Sequence, residues 1–285
     1  MGVLPPQKEA IHLRLKVGAF WLAFRKNNWR SFALKVITGI KLIFNILTKR
    51  ENAEWSRFFL AEKISQMIYP KYKFSEFGRL VLEDDEFIQY YESVVSNGNY
   101  HSFDRKYTLD QLMKLVISVE GDTAECGALR GASSYLICRH IMGLQKRHHI
   151  FDSFEGLSVP DSKDGNYWEK GDLAVSETII RRNLKEFDFV VYHKGWIPKK
   201  FHEVSDLKFC FVHLDVDLYQ PTLDSLAFFY ERLNPGGIII CDDYGFSTCP
   251  GAKKAMDSFF LNKPEEIVSL PTGQGFVIKI KKRCQ

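Results

Sequence analysis

The chain has 285 residues, of which 45% are apolar and 26% are charged, a composition typical of a folded globular protein and not of a disordered one. Its net charge of +4 is unevenly spread: residues 1–50 carry ten Lys or Arg and one acid, Glu9, and this +9 leaves −5 on the remaining 235 residues. Because nucleic-acid proteins usually place basic stripes on their folded domain, this distribution argues against a nucleic-acid partner.

The cysteines and the N-terminus indicate a reducing compartment. None of the six cysteines forms a CxxC pair, and Cys126, Cys210 and Cys241 lie within apolar runs that are typical of buried strands. The first ten residues, MGVLPPQKEA, lack the charged start and apolar core of a signal peptide. We therefore expect reduced cysteines and a cytoplasmic location.

Residues 1–53 are predicted to form a basic, amphipathic helical extension. Residues 10–49 place aromatic and aliphatic residues among Lys and Arg at helical spacing, without the uncharged run of about 18 residues needed to span a bilayer. Apolar residues occur nearly all round the second helix, which favours packing on the domain or on a second subunit in a homo-oligomer. The alternative is a peripheral contact of residues 10–49 with an anionic membrane surface.

Residues 54–118 are predicted to form several helices that cap a binding site. The segments EWSRFFLAEKISQMIYP and SEFGRLVLEDDEFIQYYESVV have helical periodicity, and Pro70 and Gly98 act as helix breakers.

From residue 119 to residue 285 the pattern predicts an α/β domain. Apolar runs separated by helical stretches indicate a parallel sheet that is covered on both faces. The last two runs follow one another across a TGQG turn, which predicts an antiparallel hairpin. The expected fold is therefore a doubly wound, mostly parallel, seven-stranded sheet with a C-terminal antiparallel hairpin. The seven runs are DTAECGA, HHIFDSF, FVVYHKGW, FCFVHLDVD, GGIIICDDY, EEIVSL and GFVIKIKK.

Ligands of such sheets bind at the carboxyl ends of the strands. The first strand ends in a glycine turn, Glu125-Cys126-Gly127 with Gly131 four residues later, which opens a helix. Alone, this turn is equally consistent with tight packing. Asp152 ends the second strand and is placed to accept hydrogen bonds from two ribose hydroxyls, so together they predict a nucleoside-containing cofactor. Trp196 follows the third strand. Its indole either packs against an adenine ring or anchors the loop that follows this strand.

Three aspartates end the fourth and fifth strands, which we expect to be neighbours. Asp215, Asp242 and Asp243 would repel one another unless a cation joined them, and hard oxygen ligands favour Mg²⁺ over softer metals, with Mn²⁺ and Ca²⁺ as alternatives. Consecutive strand residues point to opposite faces, so Asp242 and Asp243 can share an ion only where the strand has ended. The alternative is a helix cap or a solvated turn.

Two histidines lie in or near the predicted strands, and they differ in their suitability as a base. His213 lies within a strand and is expected to be a hydrogen-bonded core residue, whereas His193 lies nearer a strand end and is a candidate general base.

The strings ECGALRGASS, IFDSFEGL, YHKGW, HLDVDLYQPTLDSL, LNPGGIIICDDYG and PGAKKAMDSF resemble the macrocin O-methyltransferase family of class I methyltransferases. The similarity covers residues 115–262. More distantly, these strings resemble the metal-dependent catechol and caffeoyl-coenzyme A O-methyltransferases.

The resemblance implies that residues 119–285 form a class I methyltransferase domain that binds S-adenosylmethionine and Mg²⁺. It implies that Ser133 contacts the methionine carboxylate and that the acceptor is a hydroxyl of a sugar-containing small molecule or a saccharide, with catechol-like phenols second. The residues assigned to the cofactor are Glu125, Gly127, Gly131, Ser133, Asp152, Ser153 and Trp196, and those assigned to the metal are Asp215, Asp242 and Asp243.

A bound sulfonium carries an electrophilic methyl group, and a metal that binds the substrate lowers the pKa of the attacking hydroxyl. We expect Asp215 to be the catalytic base, with His193 as the alternative. A nicotinamide-dependent oxidoreductase is a second hypothesis, because the glycine turn and Asp152 would also serve a dinucleotide, although the full GxGxxG motif is absent. A third is an inactive methyltransferase fold that acts as a membrane-surface or scaffold protein.

Overall fold

The computed structural model describes residues 29–48, 53–68, 81, 83–94 and 103–281. Contacts between residues divide the chain into two compact units, residues 1–78 and residues 79–285. This boundary differs from the predicted ones after residues 53 and 118. The predicted division into an extension, a cap and a methyltransferase domain stays a prediction, and residues 10–28, Pro70, Gly98 and Cys284 lie outside the described residues.

In the described part of the first unit, two helices pack against each other, α1 (Trp29–Leu47) and α2 (Ala53–Ile68). Helix α1 exposes a row of apolar side chains spaced three or four residues apart, which places them on one helical face. Among the described residues, neither these helices nor any other is both long and apolar enough to cross a membrane. The exposed row consists of Ile37, Ile40, Ile43, Phe44 and Leu47.

The second unit is built on a seven-stranded sheet of strand order β3-β2-β1-β4-β5-β7-β6. The first five strands pair in parallel, β7 pairs antiparallel with β5, and β6 pairs antiparallel with β7. The predicted mostly parallel sheet with its C-terminal hairpin is therefore confirmed. The strands are β1 (Asp122–Cys126), β2 (His148–Asp152), β3 (Val190–Lys194), β4 (Phe209–Leu214), β5 (Leu233–Cys241), β6 (Val268–Ser269) and β7 (Gly275–Ile278).

Among the described residues, six helices and the 3₁₀ turn that precedes β4 accompany the sheet. They are α3 (Asp85–Val94), α4 (Phe103–Val116), α5 (Ala132–Ile141), α6 (Glu177–Asn183), α7 (Tyr219–Tyr230), α8 (Pro250–Phe260) and the 3₁₀ turn Phe201–Val204.

Hydrophobic clusters cover both faces of the sheet, because neighbouring residues of a strand enter different clusters. In β4, Val212 packs in the cluster that holds α7 and α8, whereas Phe211 packs in the cluster that holds α3, α4 and α5. All six residues of β4 are buried, as expected for a central parallel strand. Because α3 and α4 share this core, they belong to the same compact unit as the sheet.

The strand order creates a crevice at one edge of the sheet. Strand β1 pairs with β2 on one side and with β4 on the other. Successive strands are therefore added in one direction from β1 to β3 and in the opposite direction from β4 onward, so the switch point lies between β1 and β4. In open parallel sheets, ligands bind outside the carboxyl ends of the strands at this switch point.

Candidate active site

A pocket lies at the carboxyl ends of strands β1 to β4. Five residues that the sequence assigned to a site line it together: Gly127, Asp152, Ser153, Trp196 and Asp215. Much of the remaining wall is apolar, which suits a ligand that carries an aromatic base. The apolar wall includes Leu129, Phe151, Leu157, Leu173, Ile197, Val216 and Leu218.

Gly127 allows two strand ends to meet at the pocket. Its backbone has φ +79°, and a Cβ atom at this position would overlap the carbonyl oxygen of Asp215. Its amide donates to the carbonyl oxygen of Phe151 at 2.9 Å. A side chain would therefore push apart the ends of β1 and β4, so glycine is required here for close approach as well as for conformation.

Backbone amides fix the carboxylate of Asp152. Its Oδ2 accepts from the amide of Ala128 at 2.8 Å, and its Oδ1 accepts from the amide of Phe154 at 2.7 Å. Burial raises the pKa of Asp152 above its ordinary value, although these amides favour the ionised form. Each carboxylate oxygen keeps a lone pair for a hydroxyl donor. The neighbouring Ser153 hydroxyl is used within the turn, where it donates to the carbonyl of Gly156 at 3.0 Å.

Four of the residues predicted to bind the cofactor or to act as a base do not line this pocket. Gly131, with φ +84°, precedes α5, and a Cβ atom there would lie 2.9 Å from Ile180 of α6, so this glycine permits helix packing. The hydroxyl of Ser133 accepts a hydrogen bond from Lys106. His193 is buried. Its Nε2 lies 3.0 Å from Nδ1 of His149, and its Nδ1 lies 2.6 Å from Oε2 of Glu203. The fourth residue is Glu125.

Glu125 is fully buried and forms a charged chain with His213. His213 Nδ1 lies 2.8 Å from Glu125 Oε1, and its Nε2 lies 3.4 Å from Asp242 Oδ1, so both ring nitrogens donate to carboxylates. Burial alone would lower the pKa of His213, but the two carboxylates raise it to about 9. Burial alone would raise the pKa of Glu125, but the neighbouring imidazoles of His148, at 3.7 Å, and His213 lower it to about 2. The expected core role of His213 thus includes a buried positive charge beneath the site.

The three aspartates predicted to bind a metal are divided between two groups. Ligand atoms of Asp215 and Asp242 lie within 4.8 Å of one another and of His213, whereas Asp243 lies in a second such group with Asp217 and Cys249. Asp242 and Asp243 both follow Cys241, the last residue of β5, so the strand has ended, as a shared ion would require, yet the two side chains still enter different groups. Asp243 Oδ2 accepts from the amide of Asp217 at 2.9 Å.

Burial and mutual repulsion make the carboxyl groups of this cluster costly to ionise. Burial, followed by the charge of neighbouring acids, raises the pKa of Asp215 and Asp243, and it raises that of Asp217 to about 7. A set of crowded carboxylates, each costly to ionise, is a chemically suitable site for a divalent cation.

Asp242 differs from the other three acids. Burial would raise its pKa, but the hydrogen bond with His213 and the charges of Lys106 and Arg105 hold it well below its ordinary value. Arg105 Nη1 lies 2.5 Å from Asp242 Oδ2, and Gln274 Nε2 donates to Asp242 Oδ1 at 2.6 Å. Asp242 is therefore an ionised, fully hydrogen-bonded carboxylate.

Sequence reasoning missed four residues of this region. Asp217 lines the pocket with a left-handed backbone, φ +58°, and its presence in the LDVD segment was the available signal. Arg105 and Lys106 come from α4, and Gln274 comes from the hairpin turn. No strand end marks these last three residues, so nothing in the spacing of the sequence pointed to them.

The fold and the pocket define an α/β methyltransferase-like protein. Residues 103–266 match the sequence model of the macrocin-O-methyltransferase (TylF) family, and the chain belongs to that family. This membership agrees with the resemblance seen in the sequence, and it removes the main reason for the oxidoreductase hypothesis.

Relatives and solved structures agree with this family. The chain is 30% identical over 164 residues to a demethyldecarbamoylnovobiocin O-methyltransferase of Streptomyces niveus, covering 50% of this chain and 59% of the relative. It is 31% identical over 152 residues to 8-demethyl-8-(2,3-dimethoxy-alpha-L-rhamnosyl)-tetracenomycin-C 4'-O-methyltransferase of Streptomyces olivaceus, covering 48% and 58%. The match thus spans less than two thirds of these relatives' length.

Among solved structures, the O-methyltransferase NovP is similar with a TM-score of 0.53 and 26% identity, over 63% of this chain and 81% of NovP. The calicheamicin methyltransferase CalS11 shares the fold with a TM-score of 0.56 at 17% identity, over 72% of this chain and 94% of CalS11.

Replacement of Gly127 by alanine should destabilise the protein by clearly more than the about 1–2 kcal/mol that a left-handed backbone costs a residue with a Cβ atom. Gly143 is the matched control, because it has the same φ of +79° and nothing within 4 Å of its Cβ position. Urea unfolding of Gly127→Ala and Gly143→Ala measures the difference. Equal losses would show that the contact with Asp215 is unimportant.

The Glu125–His213 pair should stabilise the protein most between about pH 4.3 and 6.5, the ordinary values of its two groups. The contribution falls as pH rises toward 9, where His213 loses its proton, and as pH drops toward 2, where Glu125 gains one. We expect Glu125→Gln to lose about 3–5 kcal/mol at pH 6, with the difference from wild type narrowing by pH 9.

Unfolding free energies measured at pH 6, 7.5 and 9 test this pH dependence. Glu177→Gln is the control, because that carboxylate pairs with Arg181 and Lys194 at the surface and should contribute less than about 1 kcal/mol. A loss in Glu125→Gln that stays constant from pH 6 to pH 9 would contradict the charged state of His213.

Proposed function

We propose that this protein is a Mg²⁺-dependent, S-adenosylmethionine-dependent O-methyltransferase. The observation that carries the proposal is that Gly127, Asp152 and Trp196 line the same pocket as Asp215. Family membership supports the reaction class, since the relatives named above are O-methyltransferases.

The cofactor assignments follow from the pocket lining. Asp152 accepts hydrogen bonds from the ribose hydroxyls, Gly127 leaves room for the cofactor against the backbone, and Trp196 lies beside the adenine. Ser153 shapes the turn beneath them. Glu125 and Gly131, which were assigned to the cofactor, serve it indirectly in this proposal by fixing the turn and helix α5.

Asp215, Asp242 and Asp243 are the proposed ligands of Mg²⁺. Their oxygens are the donors that this ion prefers, and the raised pKa values of Asp215 and Asp243 reflect a cost of ionisation that a bound cation would offset. Asp215 and Asp242 lie within reach of one ion. Asp243 Oδ2 accepts from the Asp217 amide, so Oδ1 is the oxygen that Asp243 would offer to the ion.

When bound, Mg²⁺ lowers the pKa of the acceptor hydroxyl. Asp215, at the junction of the pocket and the acid cluster, accepts the hydroxyl proton. The oxygen then attacks the methyl carbon as the carbon–sulfur bond breaks, so the products are a methyl ether and S-adenosylhomocysteine. The apolar walls exclude water, and the alignment of oxygen, carbon and sulfur supplies most of the acceleration.

The proposed acceptor is a hydroxyl of a sugar-containing small molecule or a saccharide, with a catechol-like phenol second. One relative is named for methylation at the 4' position of a rhamnosyl-bearing tetracenomycin, and another, 28% identical, is named mycinamicin III 3''-O-methyltransferase.

Asp215→Asn should lose at least about 100-fold in turnover, the usual contribution of a general base, while its affinity for S-adenosylhomocysteine stays nearly unchanged. Asp224→Asn is the control, because Asp224 lines the same pocket but belongs to neither acid group. Mass spectrometry of extracts supplied with cofactor and Mg²⁺ detects a product heavier by one methylene, which EDTA should abolish. Full turnover in Asp215→Asn would refute the assignment of the base.

Calorimetry decides between cofactors before any substrate is known. We expect binding of S-adenosylmethionine and no binding of NAD. The opposite result would restore the oxidoreductase hypothesis, and product formation that survives EDTA would remove Mg²⁺ from the proposal.

We further propose a peripheral membrane contact for a cytoplasmic protein through the exposed apolar face of α1, which lies within the basic segment of residues 1–50.

Flotation with anionic liposomes should recover the wild-type chain and lose the variant Phe44→Glu/Leu47→Glu. Leu261→Glu, at an exposed site in the other unit, is the control. If both variants float equally, α1 does not bind lipid. Sedimentation of the same variants tests the alternative that this face joins copies in a homo-oligomer.

A further inference from the structure

Lys106 is buried within electrostatic reach of Asp242 and Asp215, but the hydrogen-bond partner of its ammonium is a hydroxyl and not a carboxylate. It is 4% exposed, and no other lysine of the described residues is buried. Its Nζ donates to the hydroxyl of Ser133, a neutral acceptor, and none of the described carboxylates forms an ion pair with it. A buried ammonium is normally paired with an anion, because it has lost its hydration. Two of its three N–H donors are therefore available to a ligand.

The neighbourhood of Ser133 favours an anion. Ser133 is the second residue of α5, and the residue before that helix, Gly131, provides no side-chain cap for the amides of the first turn. Such amides and the positive end of the helix dipole attract negative charge. The Lys106 ammonium, the Ser133 hydroxyl and the first turn of α5 thus converge on a site suited to a small anion such as a carboxylate.

This site adjoins the pocket on the side of Gly127 and Asp215. Gly127 lines the pocket and lies six residues before Ser133 in the same strand-to-helix turn. Burial and Asp242 raise the pKa of Asp215, and the charge of Lys106 acts against that rise, so Lys106 lies within electrostatic reach of the pocket wall. A ligand that fills the pocket with its adenosine can therefore extend its other end toward Lys106.

We propose that Lys106 is the charged partner of the α-carboxylate in the methionine portion of the cofactor, with Ser133 as the second donor. This inference rests on the proposed use of S-adenosylmethionine. The family resemblance assigned a carboxylate contact to Ser133 alone, whereas Lys106 reaches the site from α4, at the start of the segment that matches the family model.

Two ligands that differ only in the amino-acid end separate this role from a general one. S-adenosylhomocysteine carries the carboxylate, and methylthioadenosine has the same adenosine and sulfur without it. Calorimetric titration should show that Lys106→Met weakens S-adenosylhomocysteine by about tenfold or more, the size of a lost charge-assisted hydrogen bond, and leaves methylthioadenosine unchanged. Lys106→Arg should restore much of the preference.

Lys114→Met is the matched control, because Lys114 lies on the same helix but pairs with Asp110 at the surface, and it should bind both ligands as wild type does. Unchanged methylthioadenosine binding also shows that the variant is folded. If Lys106→Met does not fold, Ser133→Ala gives the same test, with a selective loss of a few fold expected.

Equal weakening of both ligands, or unchanged affinity for S-adenosylhomocysteine, would overturn the role of Lys106 and leave the proposed function intact. A loss of Mg²⁺ affinity alone would instead assign Lys106 to the acid cluster and likewise overturn it. A wild-type chain that binds neither nucleoside would overturn the proposed function and this inference together.

Discussion

His213 lies between the carboxylates of Glu125 and Asp242 and donates a hydrogen bond to each. These three residues belong to β1, β4 and the end of β5, so one buried positive charge joins three neighbouring strands at their carboxyl ends. Glu125 also accepts from the hydroxyl of Ser134 in the first turn of α5. The position of that helix, and with it the glycine turn that lines the pocket, therefore depends on a charged network that no solvent reaches.

The balance of charge differs across the site. Asp242 is ionised and saturated by Arg105, Gln274 and His213, whereas Asp215 and Asp217 have raised pKa values. The cations thus stabilise the ionised form of the acid that holds the strands together, whereas the acids that line the pocket remain costly to ionise. A divalent cation bound beside Asp215 and Asp217 would offset that cost and favour their ionised form.

The sequence predicted the sheet well because its strands are short apolar runs between helices, a pattern that few other folds produce. It predicted Gly127, Asp152 and Asp215 at one pocket because parallel strands end at the same edge. It could not predict that Glu125 turns away from that edge, since spacing locates a strand end but does not give the partner that a side chain selects. The roles of Arg105 and Lys106 could not be predicted from the sequence, because basic residues on a helix usually indicate a solvated face.

Those two residues show how one helical turn can serve two parts of a site. Consecutive residues of an α-helix are separated by about 100°, so Arg105 reaches Asp242 of the acid cluster while Lys106 reaches Ser133 of α5. Any movement of α4 would disturb both contacts at once. Since α4 packs in the same core as α5 and the middle of β4 and β5, the charge near the proposed metal and the charge near the proposed cofactor carboxylate are set by one rigid element. A helix outside the strand-end motifs is therefore part of the active centre.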